Sequence, residues 1–133
     1  MGNRLRGNYM VEAYSYRKLD VYINAKVLVK TVYNHLRKFP KEENYALCDQ
    51  LRRSVISVPS NIAEGMGRFS SKEQIHFLEI AYGSLMEVQC QLDISCDLGY
   101  ITIEEFESIN TDIIKIAKQL SGLRSLRIRA LNH

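Results

Sequence analysis

Apolar positions in this chain recur at helical spacing. Leu19, Tyr22, Ala25, Val29, Val32 and Leu36 repeat every three or four residues, which predicts a helix over 19–38. Phe39-Pro40 ends it, because a residue before proline avoids helical backbone angles. Leu51, Val55, Val58, Ile62 and Gly65 form a second seam, which predicts a helix over 43–67 with Pro59 inside it. An internal proline removes one backbone bond and commonly kinks a helix, so a break at Pro59 is the competing reading. Gln74, Leu78, Ala81, Leu85, Val88, Leu92 and Ser95 hold heptad spacing between a Ser70/Glu73 capping box and Gly99. Phe106, Ile109, Ile113, Ile116, Leu120 and Leu123 follow a second capping box, Thr102/Glu105. No segment alternates with period two. The reading is all-α, an up-down-up-down antiparallel four-helix bundle over 15–125. A flexible arm (1–14) precedes it and a basic tail (126–133) follows.

Two helices carry more than one seam. Arg53, Ser57, Asn61, Glu64 and Arg68 form a polar stripe on the second helix, about 120° round from its apolar seam. Ser and Asn are weak helix formers, so the stripe is assigned a packing or hydrogen-bonding task, structural rather than catalytic. Arg53 is given a partner such as Glu64, three turns along the same stripe or on a neighbour. Opposite the core seam of the third helix lie Ile80, Gly83, Ser84, Glu87, Cys90 and Ile94. A helix apolar on two sides is buried on two sides, which makes this face a candidate subunit interface, with Gly83-Ser84 admitting a close neighbour. Scattered exposed apolar residues are the bland alternative.

Composition narrows the class. A chain of 133 residues with 46% hydrophobic and 25% charged residues suits one soluble domain with a real core. No apolar run approaches the ~20 residues of a membrane span. Arg4 and Arg6 are followed by no apolar stretch, so no secretory signal is expected. Cys48, Cys90 and Cys96 are odd in number and lack CxxC spacing, as free thiols in a reducing cytoplasm would.

The net charge of +3 hides an asymmetry. Residues 1–41 carry +7, residues 42–112 carry −9, and residues 113–133 carry +5 with no acid among them. Basic ends suit a polyanion, and charge complementarity within or between subunits explains the same pattern. The nucleic-acid candidates are Lys26 and Lys30 on the first helix, and Lys115, Lys118, Arg124, Arg127 and Arg129 on the fourth helix and tail. Such groups neutralise phosphates without reading sequence.

Catalytic chemistry finds little support. The histidines are His35, His76 and His133. Glu73-Gln-Ile-His76 has the Glu-x-x-His spacing of a helical metal pair, but di-iron bundles need two such motifs, and here there is one. No nucleophile elbow, phosphate loop or nucleotide fingerprint occurs. No metal, no cofactor and no enzymatic activity are expected.

The ordered blocks Tyr16-Arg-Lys-Leu-Asp-Val-Tyr22, Phe39-Pro40, Gln50-Leu-Arg-Arg53 and Val58-Pro-Ser-Asn-Ile-Ala-Glu-Gly65 resemble a known family. So do Arg68, Phe77-Leu78, and Ala81-Tyr-Gly-Ser-Leu85 with Glu87. The chain is similar over about residues 16–124 to the four-helix-bundle family of 23S rRNA intervening-sequence proteins. The resemblance implies a cytoplasmic antiparallel bundle assembled as a ring-like homopentamer. Genes of that family lie inside intervening sequences of bacterial 23S rRNA genes. A more distant relative is the accessory protein of diversity-generating retroelements, which partners a reverse transcriptase and nucleic acid. The resemblance carries over no catalytic residue. Two functions follow: a non-enzymatic oligomer that binds RNA or an RNA–protein complex, or a protein-interaction scaffold with no nucleic-acid role.

Overall fold

The computed structural model describes residues 15–132; the expected arm at 1–14 lies outside the described residues. Four helices carry the fold: α1 (Asp20–Leu36), α2 (Leu47–Met66), α3 (Ser71–Asp97) and α4 (Ile103–Leu131). Short 3-10 turns at Tyr16–Lys18 and Lys41–Glu43 precede α1 and α2. No strand occurs among the described residues.

Local chemistry explains most of the boundaries. Leu36 closes α1 just before Phe39-Pro40. The second helix starts at Leu47, not at residue 43 as the seam suggested. Ala46 has φ −120° and ψ −101°, outside the helical region. Arg52 reaches back to donate to the Asn44 carbonyl at 2.7 Å, which ties the linker to the first turns of the helix. Pro59 lies within an unbroken α2, its ring buried. Ser70 Oγ accepts from the Glu73 N–H at 3.1 Å and opens α3. Gly99, at φ +80°, closes it. The Gly99 N–H donates to Cys96 and the Tyr100 N–H to Ser95, the two bonds of a Schellman motif. The Thr102/Glu105 capping box is complete at the start of α4. That helix runs on to Leu131, so residues 126–131 of the segment read as a tail are helical.

The core follows the seams of α2, α3 and α4 closely. Leu51, Val55, Val58 and Ile62 meet Leu78, Leu85, Val88 and Leu92, with Ile113, Ile116 and Leu120 beside them, all essentially without exposure. On α1 the seam is rotated by one position. Val21 and Leu28 are fully inside, while Tyr22 and Val29 are only partly buried. A tyrosine keeps its hydroxyl toward water when the neighbouring valine can fill the core.

Helix α2 packs on α3, α3 on α4, and α1 on both α2 and α4. Polar pairs mark the registers. Ser54 meets Gln91 and Ser57 meets Ser84 across α2–α3. Gln89 meets Asn110 and Glu79 meets Arg124 across α3–α4. Asn24 meets Gln119 and His35 meets Glu105 across α1–α4. The α2–α3 pair is tight at Gly65, where a Cβ would sit 2.8 Å from the Phe77 Cβ. Only glycine fits there.

Candidate nucleic-acid interface

The polar stripe on α2 divides into a tied middle and open ends. Asn61 Nδ2 donates to the Ser57 carbonyl at 2.8 Å and to Ser57 Oγ at 2.9 Å. Ser57 Oγ shares a 2.7 Å hydrogen bond with Ser84 Oγ of α3. The two hydroxyls and the Asn61 amide nitrogen are thus joined in one chain of hydrogen bonds. Arg68 pairs with Glu64 one turn back and lies over the Phe77 ring, 4.8 Å from its centre. Arg53 departs from expectation. Its side chain is 81% exposed and pairs with Asp49 at 3.3 Å, not with Glu64. Four residues make one helical turn, whereas the eleven to Glu64 span about 16 Å of rise.

A buried partner that the stripe omitted is Ser54. It is 5% exposed and donates to Gln91 Oε1 at 2.7 Å. Its position three residues after Leu51 placed it on the core side.

The second face of α3 is open in this chain. Ile80, Gly83, Glu87, Cys90 and Ile94 are exposed, and a Cβ on Gly83 would meet nothing within 4 Å. Ser84 does not belong with them. It is 7% exposed and faces α2, because it adjoins Leu85 and lies one turn from Ala81 and Val88 on the core side.

The basic candidates separate into two kinds. Arg124 and Arg127 stood in an acid-free segment, yet each has a partner from α3. Arg124 donates through Nε and its terminal nitrogen to Glu79 Oε2, at 2.8 and 2.7 Å. Arg127 Nε donates to Gln74 Oε1 at 2.6 Å, and its terminal nitrogen lies 3.7 Å from Met66 Sδ. Partners some fifty residues away are invisible to local charge counting. Lys115, Lys118 and Arg129 are exposed and, among the described residues, make no ion pair. Spaced three and eleven residues apart, they share the face of α4 opposite Ile109, Ile113, Ile116 and Leu120. Lys26 and Lys30 are exposed on α1 and border a recess against α2. Lys118 borders a different recess, between α3 and α4. The seven cations therefore do not converge on one groove.

Titratable groups are shifted only locally. The Thr102 N–H bond, aided by His35 and Lys38, holds the Glu105 carboxyl below the usual glutamate range. Burial pushes the Cys48 thiol up, and the hydrogen bond to Glu43 raises the Tyr100 phenol. Among the described residues no group of three His, Cys, Asp or Glu side chains is placed to hold a metal. No described helix is long and apolar enough to cross a membrane.

Residues 17–122 match the model of the family described as 23S rRNA-intervening sequence protein, and the chain belongs to that family. A solved structure from Bacteroides thetaiotaomicron, described as a protein of unknown function from the S23 ribosomal protein family, is 27% identical to this chain. It superposes with a TM-score of 0.73, covering 79% of this chain and 95% of its own length. No curated protein matches.

Proposed function

We propose that this member of the 23S rRNA-intervening sequence family is a non-enzymatic, cytoplasmic, self-assembling bundle that binds RNA or an RNA–protein complex through lysines and arginines. The observation carrying the reading is the outward stripe of Lys115, Lys118 and Arg129 on α4, exposed and without ion pairs among the described residues. The family name and the ribosomal family of its structural neighbour supply the class of polyanion. Arg124 and Arg127 hold α4 against α3 in this reading and contribute little to RNA. A combined Lys115→Gln, Lys118→Gln and Arg129→Gln variant tests it. Fluorescence anisotropy with a labelled RNA should show weaker binding and a log–log salt slope reduced by about 0.7–0.9 per lost phosphate contact. Wild-type binding by that variant defeats the assignment.

The path of the helices is up-down-up-down and antiparallel. The supporting pattern is that partners run in opposite numerical order: Ser54 with Gln91 but Ser57 with Ser84, and Glu79 with Arg124 but Gln89 with Asn110. Assembly, as a homopentamer by the family resemblance, uses Ile80, Gly83, Glu87, Cys90 and Ile94 of α3. Ile94 is 44% exposed in the single chain, which suits an interface residue. Ile94→Glu should lower the light-scattering mass toward one chain while helicity is kept, since a charge in an apolar interface is strongly disfavoured.

The second reading is a protein-interaction scaffold without RNA. The Arg124–Glu79 pair favours it, because basic and acidic segments there cancel within the chain. An RNase-treated pulldown that retains every partner supports this reading over the first.

A further inference from the structure

Where α1 meets α2, the expected cations Lys26 and Lys30 belong to a longer stripe. Tyr22, Lys26, Lys30 and Tyr33 recur on α1 at intervals of four, four and three, and Arg37, the capping residue just past its end, continues the spacing four residues on. At 100° per residue that spacing makes one stripe, about 22 Å long. The stripe borders two recesses that lie end to end along the α1–α2 seam. Beside Lys26 and Lys30 is a space of ≈ 540 Å³, floored by Val29, Ile56 and Pro59. Beside Tyr33 and Arg37 is one of ≈ 610 Å³, walled by Pro40, Lys41 and Tyr45 with Arg52. No Asp or Glu lines either recess. Tyr45 is 90% exposed, an unusual state for so large an aromatic side chain. The Lys26 ammonium lies over the Tyr22 ring, 5.3 Å from its centre.

We propose that this α1–α2 face is a track for single-stranded RNA, resting on the RNA reading above but placed on a different side of the molecule. Flat aromatic surfaces alternating with cations suit unpaired nucleotides, whose bases stack while their phosphates meet the cations. A duplex offers phosphates but hides its base faces. Lys26, Lys30 and Arg37 supply the charge along the stripe, and Lys41 extends it past the end of α1. Tyr45 is the stacking platform, exposed at the wider recess. An acidic peptide shares only the charge and gains nothing from Tyr45.

The test titrates a fluorescein-labelled ten-nucleotide oligouridine, and a hairpin duplex of the same charge, into the full chain at several salt concentrations. Tyr45→Ala should weaken oligouridine binding about 5- to 150-fold while leaving the salt slope alone. At 90% exposure Tyr45 has little packing to lose, and unchanged circular dichroism checks that the fold is kept. Lys26→Gln, Lys30→Gln and Arg37→Gln combined should flatten the single-strand slope by about 2. The duplex should bind more weakly and ignore Tyr45→Ala. The proposal is overturned if all these variants bind oligouridine like wild type, if the duplex binds equally well, or if polyglutamate displaces the RNA at matched charge. Retained sensitivity to the Lys115, Lys118 and Arg129 changes in that case leaves the α4 assignment standing. Loss through the α1 variants with none through α4 does the reverse. No RNA binding at low salt ends both.

Discussion

The two sides of α3 hold their neighbours by different means. Toward α2 the contact is made by small residues of α2: Gly65 against Phe77, Ser57 against Ser84, Ser54 against Gln91. Toward α4 it is trimmed by long polar side chains at the rim: Gln89 with Asn110, Glu79 with Arg124, Gln74 with Arg127. Short side chains allow close backbone approach and desolvate what they bond. Long ones span a wider gap and keep their charged heads near water. The first contact is intolerant of added volume, and the second tolerates lost charge.

The largest effect should come from adding one methyl group to the tight side. Gly65→Ala places a Cβ 2.8 Å from the Phe77 Cβ, with the Gln74 carbonyl at 3.4 Å. Overpacking of this kind costs about 1–3 kcal/mol, and chemical denaturation of the variant should read it. A stability equal to wild type would mean that α2 and α3 separate readily, and the contrast would fail.

Next is the hydroxyl network. Ser84→Ala leaves Ser57 and Asn61 to each other, and a lost hydrogen bond of this type costs about 0.5–1.5 kcal/mol. Asn61→Ala should fall in the same range. Because the three residues share partners, the double variant should lose less than the sum of the singles. Strict additivity in a double-mutant cycle would show that the groups act separately.

Smaller again is the rim. Arg124→Gln removes an ion pair whose partners are 43% and 50% exposed. Exposed pairs of this kind contribute about 0.2–1 kcal/mol, less as salt rises. Thermal melts at low and high salt should converge for this variant more than for Gly65→Ala, whose cost is steric and indifferent to salt.

The smallest prediction concerns acid. Glu105 titrates below its ordinary range because it accepts the Thr102 N–H, with His35 and Lys38 assisting. A carboxylate with a depressed folded value stabilises the protein above the pH at which the unfolded group titrates. That contribution declines as pH falls through the lower folded value. Glu105→Gln should therefore be less stable than wild type near neutrality, and the difference should shrink at acid pH. A gap that widens on acidification would assign the capping carboxylate the wrong sign.

Helix identity, capping and the core faces of α2, α3 and α4 were legible along the chain, because 3.6-residue periodicity and caps are local properties. The Thr102/Glu105 box and the Gly99 terminator both formed where their residue types placed them. The face of α1 was less legible. Tyr22 and Val21 compete for one core position, and only the volume left by α2 and α4 decides between them. The start of α2 also escaped, since Arg52 and Asn44 act across eight residues.

The polar and basic side chains divide along the same line. Charge counting marked residues 113–133 as uniformly basic, but α3 supplies Glu79 to Arg124 and Gln74 to Arg127. The same helix draws Ser84 inward against Ser57, away from the face its neighbours form. Sequence alone determined that this chain makes four amphipathic helices with an excess of cations at both ends. Tertiary packing decided which of those cations remain available, because a charge is neutralised by whatever lies within a few ångströms, however distant along the chain.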